Sequence, residues 1–359
     1  MRTLVTCLAL VGFQAAWAQD FEKTCLMEGD AGNGLSLVVD GRGDIHLSRI
    51  FRVLGELNYT RIDREGVAAN EELASFVSLL GVDEADNTDL LLEGDAPRIC
   101  YYNAGLPGFE VALLEADGWH RELIQAGVGA GRWCTLLRQG GNLITVFGSD
   151  DGILRSARRV RRDDWVIEEI DRVADLAVGR EASAALIEGR IVVAHRTGRN
   201  QLRVSWQGPD GYAHQTLQDV ALGAGVSPVA VNSGGEQLWV VHGIVSPPGT
   251  SDGGLVLAQG TRGALRSQLV DMAEVGGAIG AAALGRRLTV VTRYYRRNAI
   301  FGSADGLRFY ENLTQLAQAE RLEEHGSAFQ RHVYGPIQVA ADPFGMPVIA
   351  ALDEAEPFG

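Results

Sequence analysis

A turn glycine between two apolar runs returns about every fifty residues along this 359-residue chain. These glycines are Gly43, Gly94, Gly141, Gly189, Gly235, Gly285 and Gly345, separated by steps of 51, 47, 48, 46, 50 and 60 residues. A second turn follows each of the first six, at Gly66, Gly118, Asp164, Gly211, Gly263 and Gly306, 21 to 28 residues downstream. Each unit thus holds two hairpins. A four-stranded unit this small cannot bury its apolar faces alone, whereas stacking such units around an axis covers them. The spacing predicts an all-β chain folded as a single β-propeller, with seven blades expected and six as the alternative.

The local sequence agrees. LSLVVD-GRG-DIHLSRI, CTLLRQGGNLITVFG and SAALIEGRIVVAHR each join two apolar, β-branched runs through glycine, which is hairpin chemistry. The outer hairpins are more polar and carry an aromatic after the turn, as in DGWHRELI, DDWVIEEI and DGYAHQTL. The seventh unit stops short, because only Asp353 to Gly359 follow its first hairpin. The expectation is that an N-terminal strand, Phe21 to Met27, completes the last blade and covers the open edge. Ala68 to Leu80 and Leu313 to Glu324 have helical composition and are expected as excursions between units. The run Arg158 to Asp164 is expected to be a solvated edge.

Met1 to Ala18 reads as a secretory leader: Arg2 supplies the charge, Leu4 to Ala16 the apolar stretch, and Ala16-Trp17-Ala18 the small-residue processing site. Residues 19–359 are then the propeller domain, in the periplasm or outside the cell. The apolar run is shorter than the ~20 residues of a membrane span. The net charge of −14 disfavours nucleic acid and anionic membranes as partners. Lys23 is the one lysine against thirty-one arginines, which argues against a lysine Schiff base and fits a GC-rich, bacterial coding bias. Three cysteines remain beyond the leader. Cys100 falls on the second strand of one unit and Cys134 on the first strand of the next, so they are either bridged across a blade boundary or buried as thiols.

Ser303-Ala304-Asp305-Gly306-Leu307-Arg308-Phe309-Tyr310 resembles the Asp-box turn of sialidase-like propellers, Ser-x-Asp-x-Gly-x-Thr-Trp. In that family the box is a structural turn, so the resemblance implies fold and not catalysis. A sialidase of the family needs an arginine triad, a tyrosine nucleophile helped by a glutamate, and an acid/base aspartate. Its Phe/Tyr-Arg-Ile-Pro motif stands here as Phe51-Arg52-Val53-Leu54, without the proline.

Second strands of propeller blades end at the face where ligands bind. Aligning these strands by their apolar runs places Arg49, Tyr102, His195, His242 and Thr292 at one rim, followed by Arg196, Arg293 and Tyr294. Arg49, Tyr102, His195, Arg196, His242, Arg293 and Tyr294 are therefore the candidate ligand-binding residues. Arginine clamps a carboxylate and tyrosine stacks on a sugar. His195 and His242 hold equivalent places, but no third ligand spacing accompanies them, so no metal and no cofactor is expected. No paired carboxylates or nucleophile motif marks a catalytic set. The expected function is non-catalytic binding of a protein or glycan by a monomer. A glycan hydrolase or lyase using Arg52, Arg196, Arg293 and a tyrosine such as Tyr102 is the alternative, and a structural cell-envelope module is the third reading.

Overall fold

The computed structural model describes residues 5–10, 22–28, 34–51, 55–75, 77, 87–172, 182–197, 201–219, 224–232, 235–244, 254–271, 275–284, 287–298, 302–311, 320–323 and 332–354. The first two strands are β1 (Val5–Leu10) and β2 (Glu22–Glu28). The first complete sheet follows as β3 (Leu35–Val39), β4 (Ile45–Phe51), β5 (Glu56–Ile62) and β6 (Ala68–Ala74). The second is β7 (Thr88–Glu93), β8 (Ala96–Asn103), β9 (Gly108–Glu115) and β10 (Gly118–Ala126). The third is β11 (Ala130–Gln139), β12 (Asn142–Ser149), β13 (Ile153–Arg161) and β14 (Asp164–Arg172). The fourth is β15 (Ala182–Ile187), β16 (Arg190–Thr197), β17 (Gln201–Gly208) and β18 (Gly211–Asp219). The fifth is β19 (Ala224–Asn232), β20 (Leu238–Ile244), β21 (Gly254–Gly260) and β22 (Arg266–Asp271). The sixth is β23 (Val275–Leu284), β24 (Arg287–Asn298), β25 (Gly302–Glu311) and β26 (Glu320–Glu323). The chain ends with β27 (His332–Ala341) and β28 (Pro347–Glu354).

Six sheets are plain antiparallel meanders in sequence order, and the seventh runs β2-β1-β28-β27. The first strands pack on one another in succession from β3 to β27, and β27 packs on β3. Between neighbouring sheets lie separate apolar layers. Leu137, Ile144 and Val146 of the third sheet meet Ala184, Ile191 and Val193 of the fourth. Val192, Ala194 and Val204 of the fourth meet Leu238, Val240 and Ala258 of the fifth. Val348 and Ala350 of the seventh meet Leu35, Leu37 and Leu47 of the first. The second strands are buried on both sides, which is why their sequences read as nearly continuous apolar runs.

The inner strands are stapled by side chains to the next sheet's backbone. Leu90 N–H donates to Ser36 Oγ at 3.0 Å, and Ala230 N–H donates to Ser183 Oγ at 3.0 Å. Asp89 holds the same role between the second and third sheets: Leu136 N–H donates to its carboxylate at 2.7 Å, and Ser36 Oγ–H at 2.9 Å. At the outer strands, the aromatic that follows the turn reaches back to the preceding sheet. Trp119 Nε1–H donates to Glu71 at 2.7 Å, and Trp165 Nε1–H donates to Glu122 at 2.9 Å.

Three local expectations are corrected. Ala68–Ala74 is the fourth strand of the first sheet and no helix, because pairing with β5 along a solvent-facing edge overrides intrinsic propensity. Gly306 is not a turn: it lies inside β25 opposite Tyr294, so the Asp-box look-alike is strand. The arginine run at 158–162 is a solvent-facing edge, as expected: Arg158, Arg161 and Arg162 are exposed. Within it the half-buried Arg159 Nε–H donates to the buried Glu122 at 3.0 Å and Arg162 lies 2.7 Å from His120, so two side chains reach the second sheet. Finally, the expected N-terminal strand is present as β2, but β1 (Val5–Leu10) stands between it and β28. The helical-looking stretch at 313–319 lies outside the described residues.

Candidate binding face

The second strands end at Phe51, Asn103, Ser149, Thr197, Ile244, Asn298 and Glu354, one to six residues beyond the ends read from sequence. That shift moves the expected rim residues inward. Arg49, Tyr102, His195 and His242 are all buried between sheets, and Arg196 is half-buried. Arg293 and Tyr294 are placed on β24, but their side chains lie outside the described residues.

Their neighbours explain what the buried four do. Arg49 lies over the Phe51 ring, 4.2 Å from its centroid, and burial pulls its guanidinium down to about 10. Tyr102 Oη accepts the Gly129 N–H at 3.1 Å, tying the second sheet to the entry of the third. Tyr102 is one step out of register with its supposed equivalents. Ile99 and Tyr101 face the first sheet, as Phe147, His195 and His242 each face the sheet before theirs, whereas Cys100 faces the third sheet. Tyr101 is thus the equivalent residue, and a short apolar run does not fix that phase.

Tyr101 Oη–H donates to Glu110, which also accepts from Asn103 Nδ2 at 3.2 Å. A tyrosine beside a glutamate is the pairing a tyrosine nucleophile needs. Here the ring is fully buried, and burial together with the Glu110 charge pushes its phenol well above the usual range. A phenol held protonated and out of reach does not attack a substrate.

A polar cluster of five residues lies where the third and fourth sheets meet. Asp171, at the end of β14, accepts from Arg203 Nη1 at 2.8 Å, with Oδ2 3.3 Å from His195 Nε2 and 4.0 Å from His214 Nδ1. Ser205 Oγ sits between the two imidazoles, 3.0 Å from His195 Nε2 and 2.9 Å from His214 Nδ1. One proton order satisfies the set: His195 carries its proton on Nε2, and the Ser205 hydroxyl donates to His214. Burial holds His195 neutral, down to about 4, against the opposing pull of Asp171. His195 and Ser205 are fully buried struts, whereas Arg203 and His214 keep 23% and 35% of their side chains open. On the opposite face of the third sheet, towards the second, lie two more ion pairs, Arg155–Asp151 and Arg172–Glu169. At the seam itself the Arg203 guanidinium and the His214 imidazole stand beside the buried Asp171 carboxylate, mounted on strands and not on loops.

Sequence reasoning found only His195 of this cluster. The available signal was alternation: Arg203 and Ser205 are two apart on β17, and Ser205 pairs His214 on β18. The Arg203 guanidinium already fills the Asp171 carboxylate, which fits a polar contact surface better than a metal. Elsewhere, Glu115, Asp117 and His120 come within ligating distance of one another. Arg162 Nη2 lies 2.7 Å from His120 Nδ1 and His120 Nε2 lies 2.6 Å from Asp117, so both ring nitrogens are engaged.

No family model matches the chain, and no curated protein sequence matches it. Solved structures do. A lectin from Aleuria aurantia, in complex with Fucα1-6GlcNAc, is 11% identical, with 77% of this chain and 91% of the lectin covered and a TM-score of 0.52. The chain is a β-propeller. The lectin SapL1, in complex with α-methyl fucoside, is similar to this propeller at 12% identity, 82% and 96% coverage and a TM-score of 0.51. A protein of unknown function from Dyadobacter fermentans is 12% identical over 85% of the propeller and 98% of its own chain, with a TM-score of 0.50. At such identities the likeness concerns the fold.

Proposed function

We propose that this chain is an exported, seven-bladed β-propeller that binds a glycan without catalysis. The observation that carries the reading is the seam of the third and fourth sheets, where Arg203 and His214, oriented by the buried Asp171 and Ser205, present hydrogen-bonding groups at the second-strand-end face. Sugar hydroxyls and carboxylates are recognised by such oriented donors and acceptors. The proposed face takes in the half-buried Arg196 of the fourth sheet and, from the sequence pattern, Arg293 and Tyr294 of β24. Two propellers of similar fold were solved with fucosides, which supports a glycan over other small ligands. The inaccessible Tyr101–Glu110 pair favours binding over turnover. Export rests on the leader at residues 1–18, and seven blades rest on the seven-fold repeat.

The test is a glycan array on the exported protein, followed by calorimetry with Arg196→Ala, Arg203→Ala and Arg293→Ala. The expected result is saturable binding weakened at least tenfold in one variant whose melting is unchanged. Absence of any glycan binding by the folded protein would overturn the reading in favour of a protein ligand.

A further inference from the structure

The seventh sheet depends on a segment that the export reading removes. β1 lies between β28 and β2 and is antiparallel to both, with Leu8 opposite Ala350, Ala9 opposite Ile349, and Val5 to Leu10 opposite Glu28 to Glu22. β2 does not pair with β28 in this arrangement. Loss of residues 1–18 therefore uncovers the outer edge of β28 and takes from β2 the strand it pairs with. The backbone N–H and C=O groups that faced β1 are left without a ladder partner.

The chain's own β2 does not take that place in the same sense. It runs parallel to β28, so it would have to turn end for end. Its last residue would then stand about 23 Å away along the strand, at ~3.3 Å per residue. The seven Cα steps from Glu28 to Leu35 span at most about 25 Å fully extended, which leaves nothing for the sideways distance to β3. A second copy of the processed chain has lost the same segment and has no spare strand of that kind.

Resting on the export reading above, we propose that the vacated place of β1 is an acceptor groove for one extended segment of a different chain. The segment it fits has the character of Val-Thr-Cys-Leu-Ala-Leu: about six residues, uncharged, apolar, free of proline. Acidic residues are excluded, since β2 and β28 carry Glu22, Glu28, Asp353 and Glu354 and the chain bears a net charge of −14. The bound segment runs antiparallel to β28 and to β2, and its main-chain ladder supplies most of the affinity.

The full chain is expressed in an exporting host, and the intact mass of the exported product is read first. A product beginning at Gln19 is then titrated with a synthetic peptide of residues 3–12 carrying Cys7→Ser. The expected result is saturable one-to-one binding, a raised melting temperature, and new hydrogen-exchange protection across residues 347–354. The same peptide with Thr6→Pro and Ala9→Pro, which lacks two ladder donors, binds at least tenfold more weakly. If the folded Gln19 product ignores the peptide, its own chain has closed the sheet and the proposal falls. If the product keeps residues 1–18, the export reading fails and the groove never opens; the mass alone separates these two outcomes.

Discussion

Cys100 and Cys134 are joined by a disulfide across the seam of the second and third sheets, with their Cα atoms 6.4 Å apart. Both are buried in the apolar layer that also holds Phe109 and Phe147, whose rings stack at 4.5 Å. The covalent link crosses a boundary also held by side-chain packing and by the Asp89–Leu136, Tyr102–Gly129 and Glu122–Trp165 hydrogen bonds.

Closing a loop of 34 residues restricts the unfolded chain. The chain-entropy relation puts that at about 3–4 kcal/mol. The double variant Cys100→Ala/Cys134→Ala is expected to unfold at lower urea concentration by that amount. An unchanged midpoint would show that packing and hydrogen bonds hold the seam without the disulfide.

Asp89 is half-buried between packed sheets, and desolvation raises its carboxyl to about 6 despite three hydrogen bonds that pull the other way. Between the ordinary aspartate value near 4 and pH 6, the folded state keeps a proton that the unfolded state has lost. Stability therefore falls as pH rises through that window, by roughly 3 kcal/mol in all. Ser36 and Ser183 hold the comparable staples without a charge. Asp89→Asn keeps an acceptor for Leu136 N–H, and the expected outcome is higher stability at pH 7 with that slope removed. A variant less stable at pH 7 would refute this account.

His242 is buried against the fourth sheet and held neutral, down to about 4, by burial. The sign is opposite to that of Asp89. The unfolded imidazole takes up a proton near pH 6.5 and the folded one near 4, so stability is complete above 6.5 and declines as pH falls through that window. The loss is about 3 kcal/mol. Phe147 fills the equivalent place in the third sheet. His242→Phe is expected to move acid unfolding to lower pH, measured by circular dichroism at fixed temperature. His195 adds a second slope of the same sign.

Gly131 enters the third sheet at a φ of +73°, and a Cβ there would lie 2.2 Å from the Phe109 ring. Left-handed strain and overpacking act together at this position. Gly131→Ala is expected to cost about 3 kcal/mol by denaturant unfolding. Gly66→Ala, at φ +80° with open space around it, should cost clearly less. Equal losses would show that the Phe109 contact is of no consequence.

Much of this architecture is written in local pattern. Hairpins with glycine at Gly43, Gly94, Gly141 and Gly189 must turn where they do, because the backbone there adopts φ angles of 90°, 65°, 86° and 72° that L side chains resist. Strand phase is written less clearly. A run apolar on both faces carries no alternation, so Cys-Tyr-Tyr-Asn does not tell whether Tyr101 or Tyr102 faces the preceding sheet. The edge strand Ala68–Ala74 reads as helix because its residues meet water and its partner alone decides its form.

The sequence by itself determined the unit: two hairpins about every fifty residues, with apolar runs that require covering on both sides. That follows from backbone sterics and burial, which act over a few residues. Only the tertiary structure decided which polar groups meet. Asp171, His195, Arg203, Ser205 and His214 converge from four strands of two sheets. Contacts between strands that distant in sequence depend on how sheets are stacked, and a local pattern carries no record of that distance.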